Sequence, residues 1–283
     1  MKLRTSFIIQ MFFRAICAYP IYFMNKKHVL HTLILLFGLW NISIAQNNRI
    51  QTSENIGWYN YFGSFKLSKN IGLHSEYQWR RANYITDWQQ SLLRIGINYQ
   101  ANKSLLLRAG YAWIETFNYG EIPINTFGKN FTEHRIFQMA QVSHNEGKVN
   151  FSHRFMLEQR FVGKYSSANV NREDSYPLLH RMRYMFRMQA PLVGSSLTDK
   201  TPYWAMYNEV FIGFGKNVQA NVFDQNRLGI LLGYQWNKKY RVEAGYLNQI
   251  IQFGRQINNQ AVFQNNSGFI VNAYMNIDLT DRK

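Results

Sequence analysis

The sequence has almost no cysteine, and it has half as many acidic as basic residues. Cys17 is the single cysteine among 283 residues, and 16 Asp and Glu residues accompany 32 Lys and Arg residues. Because Cys17 lies in an N-terminal leader, the mature chain has no disulfide, no thiol nucleophile and no cysteine metal site. The mature chain also has no apolar run near the ~20 residues of a transmembrane helix, which excludes a helical membrane protein.

The short motifs of common catalytic and cofactor sites are absent as well. HExxH, GxSxG, the phosphate loop and GxGxxG do not occur. Ser152 and His153 are adjacent, and neighbours on a strand point to opposite faces, so they do not form a nucleophile–base pair. The other mature histidines show no close metal-ligand spacing; they are His74, His134, His144 and His180. We predict that the chain is not an enzyme and holds no metal or cofactor.

The N-terminus has the layout of a secretory signal peptide. From Met24 a basic segment with Lys26 and Lys27 precedes an apolar run, 29–40, and a small-x-small site at Ser43–Ala45. A membrane anchor is the alternative, but the run is shorter than a span requires. We predict a mis-called upstream start over 1–23, a signal peptide over 24–45 that is cleaved after Ala45, and one domain over 46–283. Cleavage lowers the formal net charge from +16 to +11.

The hydrophobicity of the mature chain alternates with a period of two residues. Apolar and polar residues alternate in segments such as 104–113 and 241–249. This alternation is typical of β-strands that have two chemically different faces. In a soluble sandwich the charged face contacts water, whereas in a transmembrane barrel the apolar face contacts lipid and the charged face lines the interior.

The connections favour the barrel. We predict eleven strands, near 55–67, 70–82, 89–100, 104–117, 132–143, 148–162, 178–190, 203–214, 223–236, 239–251 and 266–279. Short turns at 68–70, 101–103, 144–147 and 237–239 alternate with longer loops near 118–131, 163–177, 215–222 and 252–265. Bacterial single-chain barrels have an even number of strands, so one strand of the eleven is expected to be missed, split or invented. The prediction is an all-β fold, a single transmembrane antiparallel up-and-down β-barrel of 10–12 strands in the bacterial outer membrane.

Aromatic residues agree with this location, because Tyr and Trp favour the membrane–water interface. Aromatics make up 16% of the chain. We expect an interfacial position for those near strand ends, which are Trp58, Trp79, Trp113, Trp204, Trp236 and Tyr240.

Strand parity predicts which charged side chains face the barrel interior. On 148–162 it places Arg154, Glu158 and Arg160 inside, with Phe151, Phe155, Leu157 and Phe161 on lipid. The full predicted interior charge network is Glu76, Arg80, Arg94, Arg108, Glu133, Arg135, Arg154, Glu158, Arg160, Arg181, Arg183, Arg187, Glu209, Arg227, Arg241 and Glu243. Arginine dominates inside whereas lysine concentrates in turns, and the rigid guanidinium suits paired carboxylates in confined space.

Two functions fit this interior, and a third fits it less closely. The first is a structural or plugged barrel filled by an Arg–Glu network, since narrow barrels fill their interior with side chains. The second is a narrow anion-preferring pore for small acidic solutes, because arginines outnumber acids. The third is an outer-membrane lipid-modifying enzyme. The expected partners are outer-membrane lipid and lipopolysaccharide, the barrel-assembly machinery and a small anionic solute; nucleic acid is not expected in an exported chain.

Several segments resemble a known family, the outer-membrane barrel proteins of Bacteroidota and relatives that form domain-of-unknown-function family 2490. The resemblance covers about 50–279 and is carried by the segments 153–161, 181–184, 207–211, 223–227 and 245–249. It implies a barrel fold and an outer-membrane location. It implies no activity, because the role of that family is not established.

Overall fold

The computed structural model describes residues 49–218 and 221–280, and these form one closed β-barrel of eleven strands. The predicted leader, 1–45, lies outside the described residues. The strands are β1 Arg49–Lys66, β2 Ile71–Ala82, β3 Asp87–Gln100, β4 Leu105–Thr116, β5 Phe131–Glu146, β6 Val149–Val162, β7 Leu178–Pro191, β8 Thr201–Phe214, β9 Phe223–Gln235, β10 Tyr240–Ile257 and β11 Gln260–Asp278. Within this part of the chain there is no helix, and hence no helix long and apolar enough to cross a membrane.

The barrel closes through a parallel pair. Each strand from β1 to β11 pairs antiparallel with the next, and β1 then pairs parallel with β11 from Arg49↔Ala261 to Lys66↔Asp278. An odd number of strands in an up-and-down order requires this, because the first and last strands then run in the same direction. The count of eleven is therefore correct. The expectations of a wholly antiparallel barrel and of one miscounted strand are wrong.

The two rims carry different connections. The loop rim carries 83–86, 117–130, 163–177, 215–222 and 258–259, and the turn rim carries 67–70, 101–104, 147–148, 192–200 and 236–239. The predicted long loop at 252–265 is wrong, because β10 and β11 continue to a two-residue turn. Asn258 and Asn259 in that turn have φ of 51° and 59°, the left-handed backbone of a tight hairpin. A register shift between Gln252 and Gln256 interrupts the alternation there.

The faces of the strands follow the period of two. On β6, Glu158 is fully buried, while Phe155 and Leu157 are exposed on the outside. The expectation for Trp58 is wrong, because this residue lies in the middle of β1 and is 2% exposed, inside the barrel. Other inward aromatic residues are Phe137, Tyr203 and Phe211, so parity rather than hydrophobicity decides which way these side chains point.

The parallel seam between β1 and β11 depends on a glycine. A methyl group on Gly268 would lie 1.8 Å from the carbonyl oxygen of its partner Ile56. We expect Gly268→Ala to lower the free energy of unfolding by about 1–3 kcal/mol, because the two backbones must move apart. Urea unfolding of the folded barrel measures the loss. Gly254→Ala in β10 is the matched control, since its nearest neighbouring atom would be 3.8 Å away; equal losses in both variants would contradict this role for Gly268.

Candidate functional site

The barrel interior contains all sixteen charged residues that parity assigns to it. Eleven of them are buried: Glu76, Arg80, Arg94, Glu133, Arg135, Glu158, Arg181, Arg183, Glu209, Arg227 and Glu243. The other five are half-buried: Arg108, Arg154, Arg160, Arg187 and Arg241. Asp224 joins them as a sixth interior carboxylate. Parity missed Asp224 because a register shift at Phe211/Ile212, opposite the start of β9, disturbs the alternation.

Glu158 is the central carboxylate. Its oxygens accept hydrogen bonds from Arg181 (Nε to Oε2, 2.8 Å; Nη2 to Oε2, 2.5 Å) and from Arg183 (Nη1 to Oε1, 2.8 Å). Arg94 and Arg135 each place an Nη atom 3.8 Å from Oε1. Four guanidinium groups from three different strands, β3, β5 and β7, therefore surround one fully buried carboxylate.

Two carboxylates extend this cluster toward the loop rim. Glu133 accepts hydrogen bonds from Arg160 (2.6 and 3.0 Å) and from both Nε and Nη2 of Arg135. Asp224 accepts one from Arg181 (2.5 Å) and lies 3.5 Å from Arg160. Arg160 and Arg181 thus each join two carboxylates, and the network runs continuously across β5, β6, β7 and β9.

Three further carboxylates lie toward the middle and the turn rim. Glu209 binds Arg154 and Arg183 (Oε1 to Nη2, 2.8 Å each), and Glu76 binds Arg94 (2.7 Å) and His74 (3.1 Å). Glu243 binds Arg187 and also accepts the phenol hydroxyls of Tyr203 (2.8 Å) and Tyr274 (3.0 Å). Neither phenol was among the residues predicted to face the interior.

Four interior arginines have no carboxylate within 4.0 Å among the described residues; they are Arg80, Arg108, Arg227 and Arg241. Aromatic rings contact three of them. The guanidinium carbons of Arg80 and Arg227 lie 3.9 and 4.8 Å from the ring centroid of Trp58, and that of Arg241 lies 4.1 Å from Tyr274. Cation–π contact offsets part of the cost of burying an arginine without a counter-charge.

A chain of amide side chains links the loop rim to the ionic cluster. Tyr119 enters the interior from loop 117–130 and is 6% exposed. Its hydroxyl donates to Gln264 (3.1 Å) and accepts from Gln89 (3.0 Å) and Asn266 (3.2 Å). Asn266 continues through Gln249 and Gln225 to Asp224, with bonds of 2.9–3.2 Å. Burial raises the pKa of the Tyr119 phenol, so that it remains a hydroxyl able to donate and accept.

Loops 117–130 and 163–177 cover this end of the interior. Arg255 donates to the carbonyl oxygen of Pro123 (2.6 and 3.1 Å), which holds the first loop over the barrel mouth. Lys129 donates to the Ala168 carbonyl (2.7 Å), and Tyr165 donates to the Asn130 carbonyl (2.7 Å), so the two loops are joined.

A cavity of about 360 Å³ lies between these loops and the ionic cluster. Seven cationic side chains and two carboxylates line it: Arg80, Arg135, Arg160, Arg181, Arg227, Arg255 and Lys164, with Glu133 and Asp224. Its remaining lining includes amides and aromatic rings. The arrangement can hold an anion, and sequence parity did not reveal it because loop residues complete it.

Two further kinds of site were considered for the described part of the chain, a metal site and a serine–histidine pair. It contains no group of three or more His, Cys, Asp or Glu side chains arranged to hold a metal ion. Ser152 is bonded to Ser143 (3.2 Å) and His153 to Tyr184 (2.9 Å), which are separate contacts on opposite faces of β6.

Comparison with known proteins gives a family and one distant relative. The family described as "Protein of unknown function (DUF2490)" matches residues 55–260. An uncharacterised protein of Methylorubrum extorquens is 27% identical over 223 residues, which cover 77% of this chain and 89% of that protein. No solved structure matches the chain.

Removal of the central carboxylate tests how the interior is held together. We expect Glu158→Gln to lower the free energy of unfolding by about 3–5 kcal/mol, because four buried guanidinium groups lose their shared counter-charge. Asp278→Asn is the control, since it breaks the exposed pair Lys66–Asp278 and exposed pairs contribute little. Urea unfolding compares the two. Equal midpoints for the two variants would show that the interior does not depend on Glu158.

Proposed function

The chain belongs to the DUF2490 family, and from that premise we propose that it is an outer-membrane β-barrel whose interior is closed by its Arg–Glu network. The observation that carries the proposal is the reversal of the usual soluble pattern. Arginine and carboxylate side chains are buried in the interior beside smaller apolar clusters, and large apolar side chains cover the outside of the barrel. These include Leu73, Tyr77, Leu93, Ile95, Ile97, Leu107, Tyr111, Ile136, Phe155, Leu157, Met182, Ile212, Ile230 and Leu232, each at least 37% exposed. Apolar area of this extent marks a surface that contacts lipid or protein rather than water.

Polar side chains on the outer face support the same proposal. Asn208 and Asn226 bond to each other in both directions (3.0 and 3.1 Å), and Asn248 donates to Asn265 (2.7 Å). Gln138 and Gln159 form a reciprocal pair at 3.2 Å. Such mutual pairing is what a hydrocarbon environment requires, because an unpaired amide there is costly.

The proposal includes a cleaved signal peptide, which delivers the chain to the barrel-assembly machinery, and contact between rim lysines and lipopolysaccharide. It assigns no catalytic role and no nucleic-acid partner. Closure is supported by the position of Glu158, which is fully buried and binds four arginines from β3, β5 and β7.

Substitution of an outward-facing residue by lysine tests whether lipid or water surrounds the barrel. Ile95 in β3 and Ile85 in loop 83–86 are equally exposed, at 52% and 53%. If lipid surrounds the barrel, Ile95→Lys should cost about 2–4 kcal/mol of folding free energy in bilayers, whereas Ile85→Lys at the rim should cost about 0–1 kcal/mol. Reversible folding into lipid vesicles measures both. Two small and equal effects would contradict a membrane-embedded outer face.

Conductance tests the closed interior. We expect the purified protein in planar bilayers to give no steady current, because side chains occupy the cross-section around Glu158. The second candidate, a narrow anion-preferring pore, is favoured by the four arginines without carboxylates. A steady current whose reversal potential in a salt gradient indicates anion selectivity would replace the closed barrel with that pore. Cation selectivity would contradict both.

A further inference from the structure

We propose that the cavity at the loop rim binds a small hydroxylated organic anion, a sugar acid or a sugar phosphate, and that Arg80 and Arg227 hold its anionic group. The site is built from the described residues alone and does not rest on the membrane location. Its floor is the ionic cluster around Glu133 and Asp224, and its roof is loop 117–130.

Arg80 and Arg227 differ from the other arginines of the cavity. Both are buried, at 6% and 8% exposure, and both contact the ring of Trp58. Arg135, Arg160 and Arg181 are each bound to carboxylates, so their charge is already compensated, whereas Arg255 is only half-buried and is bound to the Pro123 carbonyl of the loop above. Two guanidinium groups that share one ring without a carboxylate repel each other, and a bound anion would remove that repulsion.

The hydrogen-bonding capacity of Arg227 is mostly unused. Its one bond in the described structure runs from Nε to Gln225 (3.0 Å), which leaves both Nη atoms without an acceptor among those residues. Arg80 donates to the amide oxygens of Gln78 and Gln90 (2.5 Å to Gln90) but to no carboxylate. A guanidinium presents donors in a planar fork that matches the oxygens of a carboxylate or a phosphate.

The rest of the lining indicates a hydroxylated body rather than a bare ion. Gln90, Gln225 and Gln249 line the cavity, together with Tyr119. An amide donates and accepts at once, as a sugar hydroxyl does. Aromatic side chains supply apolar walls, namely Phe127, Phe131, Tyr165 and Phe253. The volume of about 360 Å³ lies at the small end of the range for ligand sites, which suits one or two sugar rings.

Isothermal titration calorimetry on the full-length protein in detergent micelles at low salt tests the proposal. Three ligands are compared: glucuronate, glucose 6-phosphate and neutral glucose. We expect saturable binding of at least one of the two anions and none of glucose. The anion that binds distinguishes the carboxylate source from the phosphate source. No saturable binding of either anion, or binding of glucose with equal affinity, would overturn the proposal.

Variants connect the binding to the two arginines. Arg80→Gln and Arg227→Gln should each weaken anion binding about tenfold or more, because each removes charge-assisted hydrogen bonds. Arg108→Gln is the matched control. Arg108 also lacks a carboxylate and is bonded to Asn98 (2.6 Å), but it lies outside the cavity. We expect Arg108→Gln to bind like the unmodified protein; an equal loss in this control would overturn the assignment.

A charge-conserving variant covers the case in which a neutral one fails to fold. Arg227→Lys keeps the positive charge beside Trp58, and we expect it to retain measurable binding that is weaker than in the unmodified protein. Unchanged affinity in Arg227→Lys together with unchanged affinity in Arg80→Gln would show that the anion binds elsewhere. Binding is read in micelles, so it is separate from bilayer insertion and from conductance. A failure of the membrane proposal therefore leaves this result interpretable.

Discussion

The burial of guanidinium groups inside a narrow barrel is the constraint on which this structure depends. Among the described residues, the eleven arginines predicted to face the interior accompany six interior carboxylates, and an arginine taken out of water without a partner is costly. Glu158 meets this constraint at the centre by serving four arginines at once. The neighbouring carboxylates of Glu133, Asp224 and Glu209 each serve two. Because these arginines project from several strands, the same contacts that neutralise charge also fix the register of those strands.

The surplus of arginine is distributed unevenly, and this divides the interior into two kinds of environment. Around Glu158 each arginine has at least one carboxylate partner. Beside Trp58 the charges of Arg80 and Arg227 contact aromatic rings and amides but no carboxylate within 4.0 Å among the described residues. The first environment supports the proposed closure of the interior, and the second accounts for the cationic cavity at the loop rim. A single network therefore accounts for both the proposed closure and the proposed site.

Local periodicity predicted much of the fold and part of the site. Most strand bounds and the inward position of the charged residues follow from the alternation, because a strand residue's face depends only on its parity. The start of β1 at Arg49 was missed by six residues. Closure by a parallel pair does not follow from local pattern, since it depends on how the first and last strands meet. The register shift between Gln252 and Gln256 breaks the alternation, so the end of β10 and the start of β11 were predicted to be loop. The register shift at Phe211/Ile212 breaks it opposite the start of β9, so the inward position of Asp224 was not predicted. The adjacent residues Asn258 and Asn259 are typical of a two-residue hairpin turn, so this turn could have been predicted from the sequence. Trp58 was misassigned because the first strand was predicted to start near residue 55, whereas β1 begins at Arg49 and places Trp58 in mid-strand.

Because β1 and β11 are parallel, the first and last residues of the barrel lie at opposite rims. In an even-stranded up-and-down barrel the first and last strands run in opposite directions, and both ends leave by one rim. Here β1 begins with Arg49 at the loop rim, and β11 ends with Asp278 at the turn rim. If the barrel spans a bilayer as proposed, Arg49 and Asp278 would therefore face different compartments, and the barrel would carry the polypeptide from one side to the other.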